Sequence, residues 1–217
     1  QDDTTEKKTK EIEETKILTP IKIELVGKQS EWTAHYSGEN NILSEFDYKL
    51  VNPNNEIGIK TKASIGRATF TKKEKLKEYE FLIESLESKE DPNKASLEKL
   101  ITELDRDEII YQKLKQMRSN YDSKLDENAL DDFLQKDTLF LLKGVEHEFR
   151  IRSTDVIHSA YFPHFRAQAN AVPGMSVRLK ITPELSTEEI RQSKNDPKFN
   201  YVLLCNKVCG KDHYRMK

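Results

Sequence analysis

The spacing of apolar and polar positions changes character three times along this chain. Residues 1–16, QDDTTEKKTKEIEETK, are almost wholly polar and read as a tether. From Ile17 the pattern becomes strand-like: Ile21, Ile23 and Leu25 alternate with Lys22 and Glu24, the period of a half-buried strand. EWTAHY and FDYKLVN predict further strands, bounded by the turn-rich SGEN and NPNNE.

Residues 70–121 carry a helical pattern instead. Thr71 and Glu74 have the spacing of a capping box. Leu76, Tyr79, Ile83 and Leu86 follow at 3-4-3 spacing. SKEDPN interrupts the run, with Asp91-Pro92 suited to cap and begin a new helix. Leu97, Leu100, Leu104, Tyr111, Leu114 and Tyr121 then continue the stripe, which predicts an antiparallel helical hairpin.

After Asp132 the strand signals return in TLFLLKG, EHEFRIRS, SVRLKITP and YVLLC. Ser186 with Glu189 predicts a short capped helix or loop before the last of them. The expected architecture is one antiparallel β-sandwich whose strands lie on both sides of the hairpin. The expected divisions are a tether at 1–16, a β domain from 17–65 and 129–217, and a hairpin insertion at 66–128.

Composition agrees with a charged appendage on a smaller core. Among 217 residues 35% are hydrophobic and 34% charged, and the mean hydropathy is -0.78. The net charge of -2 gives no global field for nucleic acid or an anionic membrane. No run approaches the ~20 apolar residues of a spanning helix. No signal peptide is visible, and a chain beginning at Gln1 is expected to be processed or excised.

The sharpest chemistry lies at the end, CNKVCGKDHYRMK. Cys205 and Cys209, the only two cysteines, are followed by His213 and Met216. Thiolate, thioether and imidazole together favour copper, with zinc second; methionine is a poor zinc ligand. A second histidine is needed from elsewhere. His158 follows a predicted strand in RIRSTDVIHS, with His164 as its competitor; His35 and His147 read as ordinary surface histidines. A disulfide between the cysteines leaves His213 and Met216 unexplained.

STDVIHS (153–159), NAVPGM (170–175) and CNKVCGKDHYRM (205–216), in that order, resemble subunit II of the haem-copper cytochrome c oxidases. The family pattern is D-V-x-H-S, an A-x-P-G turn, then C-x-x-x-C-G-x-x-H-x-x-M. VGKQSEWTAHYSGE (26–39) adds to the match, which covers residues 17–60 and 130–216 but not the hairpin. The resemblance implies a mainly β, cupredoxin-like Greek-key sandwich holding two copper ions as the dinuclear copper A centre. Residue by residue it implies that Cys205 and Cys209 bridge the coppers. His158 and Met216 would complete one, and His213 and the backbone carbonyl of Lys207 the other.

The departures are informative. The family usually has Glu at the position of Lys207, where its carboxylate helps hold a magnesium ion against subunit I; a lysine cannot do that. The aromatic through which the family takes up electrons falls on Ser30, and Trp32 fits a second tryptophan of the same run. Trp32 and Asp155 are therefore the candidates for donor docking or electron uptake, with Glu31 and Glu39 nearby in sequence.

The function implied is that of an electron-transfer subunit of a respiratory cytochrome c oxidase. It would accept electrons from cytochrome c, or a c-type haem domain, and pass them to haem in subunit I, which would carry oxygen reduction. The hairpin resembles that of bacterial versions working beside alternative complex III. The implied location is the periplasmic face of the inner membrane, with an anchor outside this chain and no nucleic-acid partner. Two readings from other classes stand beside it: a zinc- or disulfide-stabilised binding module, and a copper carrier or assembly protein.

Overall fold

The structure, a computed structural model, describes residues 19–88 and 93–217. The tether of residues 1–16 and the helix start at Asp91-Pro92 lie outside the described residues. The chain divides into two compact units. One comprises Ser44–Leu130; the other combines the described part of Gln1–Leu43 with Asp131–Lys217.

The second of these units is built from eight strands in two sheets. β1 (Ile21–Lys28), β2 (Glu31–Tyr36), β3 (Phe133–Lys136), β4 (His147–Ser153) and β7 (Val177–Ile181) form a sheet in the order β3-β2-β1-β4-β7. β5 (His158–Phe162), β6 (Ala167–Ala171) and β8 (Leu204–Cys205) form the other, in the order β6-β5-β8. Strands from both sides of the helical segment thus share one sheet. The pairing is not wholly antiparallel, because β1 runs parallel to β4. An alternating pattern specifies which face of a strand is buried but not the direction of its neighbour.

The sheets enclose one core. Register aligns its side chains across the larger sheet: Ile23 lies opposite Tyr36 and Phe149, and Leu25 opposite Ala34 and Ile151. Ala160 and Phe162 of β5, Ala171 of β6 and Ile181 of β7 pack into the same cluster. Cys205, Cys209 and Met216 belong to it as well, so the sulfur-bearing residues are part of the hydrophobic core.

The opposite face of the larger sheet buries charge. Glu24 sits opposite His35 on β2 and Arg150 on β4. His35 is fully buried, with Nδ1 3.3 Å from Glu24 Oε2 and Nε2 2.6 Å from Asp132 Oδ2. Arg150 Nε donates to Glu24 Oε1 at 2.8 Å and Arg152 donates to Oε2 at 3.0 Å. The expectation of a surface role for His35 and His147 is therefore corrected. His147 is also buried, and its Nε2 accepts from the Leu142 N–H at 3.1 Å. Alternation marks a polar position as facing away from the core; it does not show that a second layer or polar partners enclose it.

Three predicted strands end differently. FDYKLVN forms only isolated bridges, Phe46 to Ile59 and Asn52 to Asn55, and a 3₁₀ turn at Tyr48–Leu50 in which the Asp47 side chain accepts from the Lys49 N–H. TLFLLKG is irregular; the neighbouring strand is Phe133–Lys136, and Leu139 and Leu141 still pack on the core. Only the last two residues of YVLLC pair as a strand.

The unit Ser44–Leu130 contains α1 (Lys62–Glu87), α2 (Lys94–Ser119) and α3 (Lys124–Asn128). α1 and α2 pair along the predicted stripe, with Tyr79 and Leu114 buried and Leu76, Ile83, Leu100 and Leu104 half-buried. The cap of α1 is Thr61 with Ser64, not Thr71 with Glu74. Thr61 accepts from the Ser64 N–H and Ser64 accepts from the Thr61 N–H, satisfying first-turn donors. Glu74 instead pairs with Lys77 one turn on. Leu50, Ile65 and Leu114 form this unit's own small core. The short helix expected after Ser186 is α4 (Thr187–Lys194), with reciprocal bonds between Ser186 and Glu189.

Candidate metal centre

Two chain segments supply the site. The first is the turn entering β5. Asp155 accepts from the Val156 N–H at 2.6 Å, and the Ser153 hydroxyl accepts from the Asp155 N–H at 3.2 Å. This compact turn delivers His158 fully buried at the start of β5. The second segment is the loop after β8. Cys205 lies opposite Ala160 in the β5–β8 ladder, and the Asn206 N–H donates to the Ser159 carbonyl at 3.0 Å. A 3₁₀ turn at His213–Arg215 then folds the chain back, so that the Cys205 N–H donates to the Met216 carbonyl at 3.1 Å.

The donor atoms converge. His158 Nδ1 is 3.9 Å from Cys205 Sγ, and the two Sγ atoms are 3.8 Å apart, without a disulfide. The Lys207 carbonyl oxygen is 3.2 Å from Cys205 Sγ. His213 Nδ1 is 3.4 Å from Cys209 Sγ, and Met216 Sδ is 3.8 Å from it. His158, Cys205 and Cys209 place one ligating atom each within 4.8 Å of one another. His164 is elsewhere, its ring edge-on to Phe199 and Tyr201.

Asp155 orients the histidine. His158 Nε2 lies 2.8 Å from Asp155 Oδ1, so the carboxylate selects the tautomer protonated at Nε2 and leaves the Nδ1 lone pair toward Cys205. Burial works against the charged carboxylate, but hydrogen bonds from Gln29 N–H, His158 and Val156 N–H together hold Asp155 below its ordinary range. Asp155 is thus bonded to the site through its carboxylate while the residue itself stays exposed.

The Cys209 thiol has the opposite balance. Burial, and then the Cys205 thiol beside it, push Cys209 up to about 11. A metal cation binding the pair must displace these protons, so uptake releases acid and slows as pH falls.

Trp32 packs beneath the centre. It is 9% exposed, and its ring meets the His158 ring edge-on with centroids 5.8 Å apart. Gly27, opposite Trp32 in the β1–β2 pair, makes room for both; a Cβ there would lie 2.8 Å from the His158 ring. Glu31 is paired with Lys136 at 3.3 Å, and Glu39 lies beyond the far end of β2 from the site. The large apolar side chains most exposed on the ligand loops are Val208 at 83% and Tyr214 at 73%, with Val156 and Ile157 less so.

The residue that sequence reasoning left without a role is Gln29. Its side-chain amide donates to the Cys209 carbonyl, and its N–H donates to Asp155 Oδ2 at 2.7 Å. Its only sequence signal is its place in GKQS, two residues after Gly27.

No family model matches this chain. Over 93 residues it is 34% identical to the alternative cytochrome c oxidase subunit 2 of Bradyrhizobium diazoefficiens. That alignment takes in 42% of this chain and 29% of the relative, so the match spans under a third of the curated relative's length. Among solved structures, the periplasmic domain of subunit II of cytochrome oxidase (CoxB) of Bradyrhizobium japonicum aligns over 92% of this chain and 82% of its own. The identity is 12% and the TM-score 0.39.

Proposed function

We propose, from the premise that this chain is cytochrome c oxidase subunit II-like, that it is an electron-transfer module holding two copper ions. The observation that carries the reading is the convergence of His158 Nδ1, Cys205 Sγ and Cys209 Sγ within 4.8 Å, with His213 and Met216 against Cys209. The donor set is soft and contains a thioether, which suits copper better than zinc. Cys205 and Cys209 would bridge the ions as thiolates, with His158 and Met216 on one, and His213 and the Lys207 carbonyl on the other.

When bound, the copper pair supplies one-electron chemistry. The protein's own part is to keep its ligands in one arrangement. Cys205, Cys209 and Met216 are held in the packed core, so they have little freedom to move when the charge changes. Asp155 holds the His158 ring by its Nε2 proton. The surrounding side chains exclude water from the sulfur atoms, and no bond to substrate is made or broken here.

The partners in this reading are a c-type cytochrome or haem domain as donor and oxidase subunit I as acceptor, on the periplasmic side of a bacterial inner membrane. Alternative complex III would be a neighbour in that assembly. None of the described helices is long and apolar enough to cross a membrane, so anchoring would fall to chain outside them. With Trp32 buried, contact with a redox partner falls to the exposed residues of the ligand loops, Asp155, Val156, Ile157, Val208 and Tyr214.

The test is to load the protein with copper and record metal content with visible and electron paramagnetic resonance spectra. Two coppers per chain, intense thiolate bands and one unpaired electron shared by both nuclei are expected. One zinc without colour would identify a binding module instead. One copper that is readily surrendered to an acceptor protein would identify a carrier.

A further inference from the structure

We propose that Gln29 is a positioning residue for the metal ligands, locking the two ligand-bearing loops at one separation. This rests on the copper reading above for its consequence, though not for its geometry. Gln29 sits in the two-residue turn between β1 and β2, on the five-stranded sheet. His158 and Cys205 belong to the three-stranded sheet. Gln29 therefore joins the two sheets at the centre itself.

It does so with two different groups. Its main-chain N–H donates to Asp155 Oδ2 at 2.7 Å, while Asp155 Oδ1 faces His158 Nε2 at 2.8 Å. Its side-chain amide donates to the carbonyl of Cys209. The first link sets where the His158 ring is held; the second sets where the Cys209 loop is held.

The need for the second link follows from the ladder. Pairing of Ala160 with Cys205 fixes Cys205 against His158. Cys209 lies four residues beyond that pair, in a loop where the strand no longer constrains it. Gly210, next in the chain, shows that the approach is built in. Its φ of +150° lies in the region that favours glycine, and any Cβ there would run into the Gln29 amide. Gly27 makes the matching allowance on the other side, leaving space for the His158 ring. Both glycines thus clear the volume through which this turn reaches the site.

The experiment compares the full 217-residue chain with Gln29→Met, which keeps side-chain length but cannot donate, and with Lys28→Ala as a neighbouring control. In the metal-free protein, amide hydrogen exchange of residues 205–210 should accelerate in Gln29→Met and not in Lys28→Ala, while residues 155–158, held by the main-chain N–H that methionine keeps, should exchange as before. Exchange in β4 and the melting temperature should stay as in the unmutated chain. After loading with Cu(II), release to a chelator should be faster in Gln29→Met by on the order of ten-fold, the size expected when an outer partner of a ligand is lost. The copper hyperfine pattern should change with it.

If Gln29→Met does not fold, Gln29→Asn serves, because it keeps the amide but falls one methylene short of the carbonyl. Unchanged exchange of residues 205–210, or acceleration spread evenly over the whole chain, would overturn the proposal. Absence of copper from the unmutated chain would instead overturn the copper reading, and the metal-free exchange would still decide the role of Gln29.

Discussion

His158 Nε2 and Asp155 Oδ1 lie 2.8 Å apart, while the other ring nitrogen of His158 faces Cys205 Sγ at 3.9 Å. One imidazole is thus oriented by a carboxylate on one side and presented to sulfur on the other. Asp155→Ala removes the orienting acceptor and leaves the Nε2 proton without it. Copper affinity, measured by chelator competition, should fall by about 10- to 100-fold, with the fold retained. An affinity equal to that of the unmutated protein would mean that Cys205 and packing against Trp32 alone set the ring.

The thiolates and the thioether should separate cleanly. Cys205→Ser removes one of the two sulfurs proposed to hold the copper pair, and two-copper loading with its shared-electron spectrum should be lost. Met216→Leu keeps the volume of a side chain that is 2% exposed and removes the thioether proposed as a weak ligand. Two coppers should remain while the reduction potential shifts. An unchanged potential, read by voltammetry of the copper-loaded protein, would reduce Met216 to a packing residue.

Unit Ser44–Leu130 should be dispensable for metal loading. All six candidate ligands lie in the β unit, and the helical unit has its own core at Leu50, Ile65 and Leu114. The β unit's two cut ends are already close. The Asn40 N–H donates to Asp131 Oδ2 at 2.9 Å, and its amide donates to Oδ1 at 2.7 Å. Replacing residues 44–130 with a short turn should leave copper stoichiometry and spectrum unchanged. Loss of copper from a variant that retains its β-sheet signature would show that the helical unit shapes the site.

The buried charges at Glu24 and His35 predict a stability maximum in mildly acidic solution. Burial alone would raise Glu24, but hydrogen bonds from His35 and Arg152 and the charges of both arginines lower it from 4.5 to about 2. A depressed carboxylate stabilises the fold above its unfolded value and loses that contribution as pH falls through its folded value. Here the window runs from about 4.5 down to about 2, and the difference corresponds to on the order of 3 kcal/mol.

His35 has the opposite sign. Burial lowers it, but Asp132 and Glu24 raise it above 6.5 overall. Its contribution is complete below 6.5 and is lost as pH rises through the raised value. Denaturation free energy across pH should therefore peak between about 4.5 and 6.5. His35→Gln should flatten the alkaline limb more than the acid one. A profile level from acid to neutral pH would show that these charges contribute equally in the folded and unfolded chains.

By itself the sequence determined the two periods, and with them the two kinds of element. Alternation at Ile21, Ile23 and Leu25 required a strand with one buried face. The 3-4-3 stripe from Leu76 to Leu86 required a helix with one buried stripe. It also determined the chemistry, because two cysteines, a histidine and a methionine within twelve residues form a soft donor set in any fold. Tertiary structure alone decided what each polar side chain faces. Asp155 carries a charge that suits a docking surface and stays exposed, yet three hydrogen-bond donors of the site also engage its carboxylate. Trp32 reads equally well as a surface aromatic or a core one, and the pairing of its strand with Gly27 places it under His158. His35 alternates as a surface residue does, but Glu24 of β1 and Asp132, just before β3, enclose it. Periodicity reports that a face is covered, whereas the partner that covers it comes from residues tens of positions away, and no local pattern encodes that meeting.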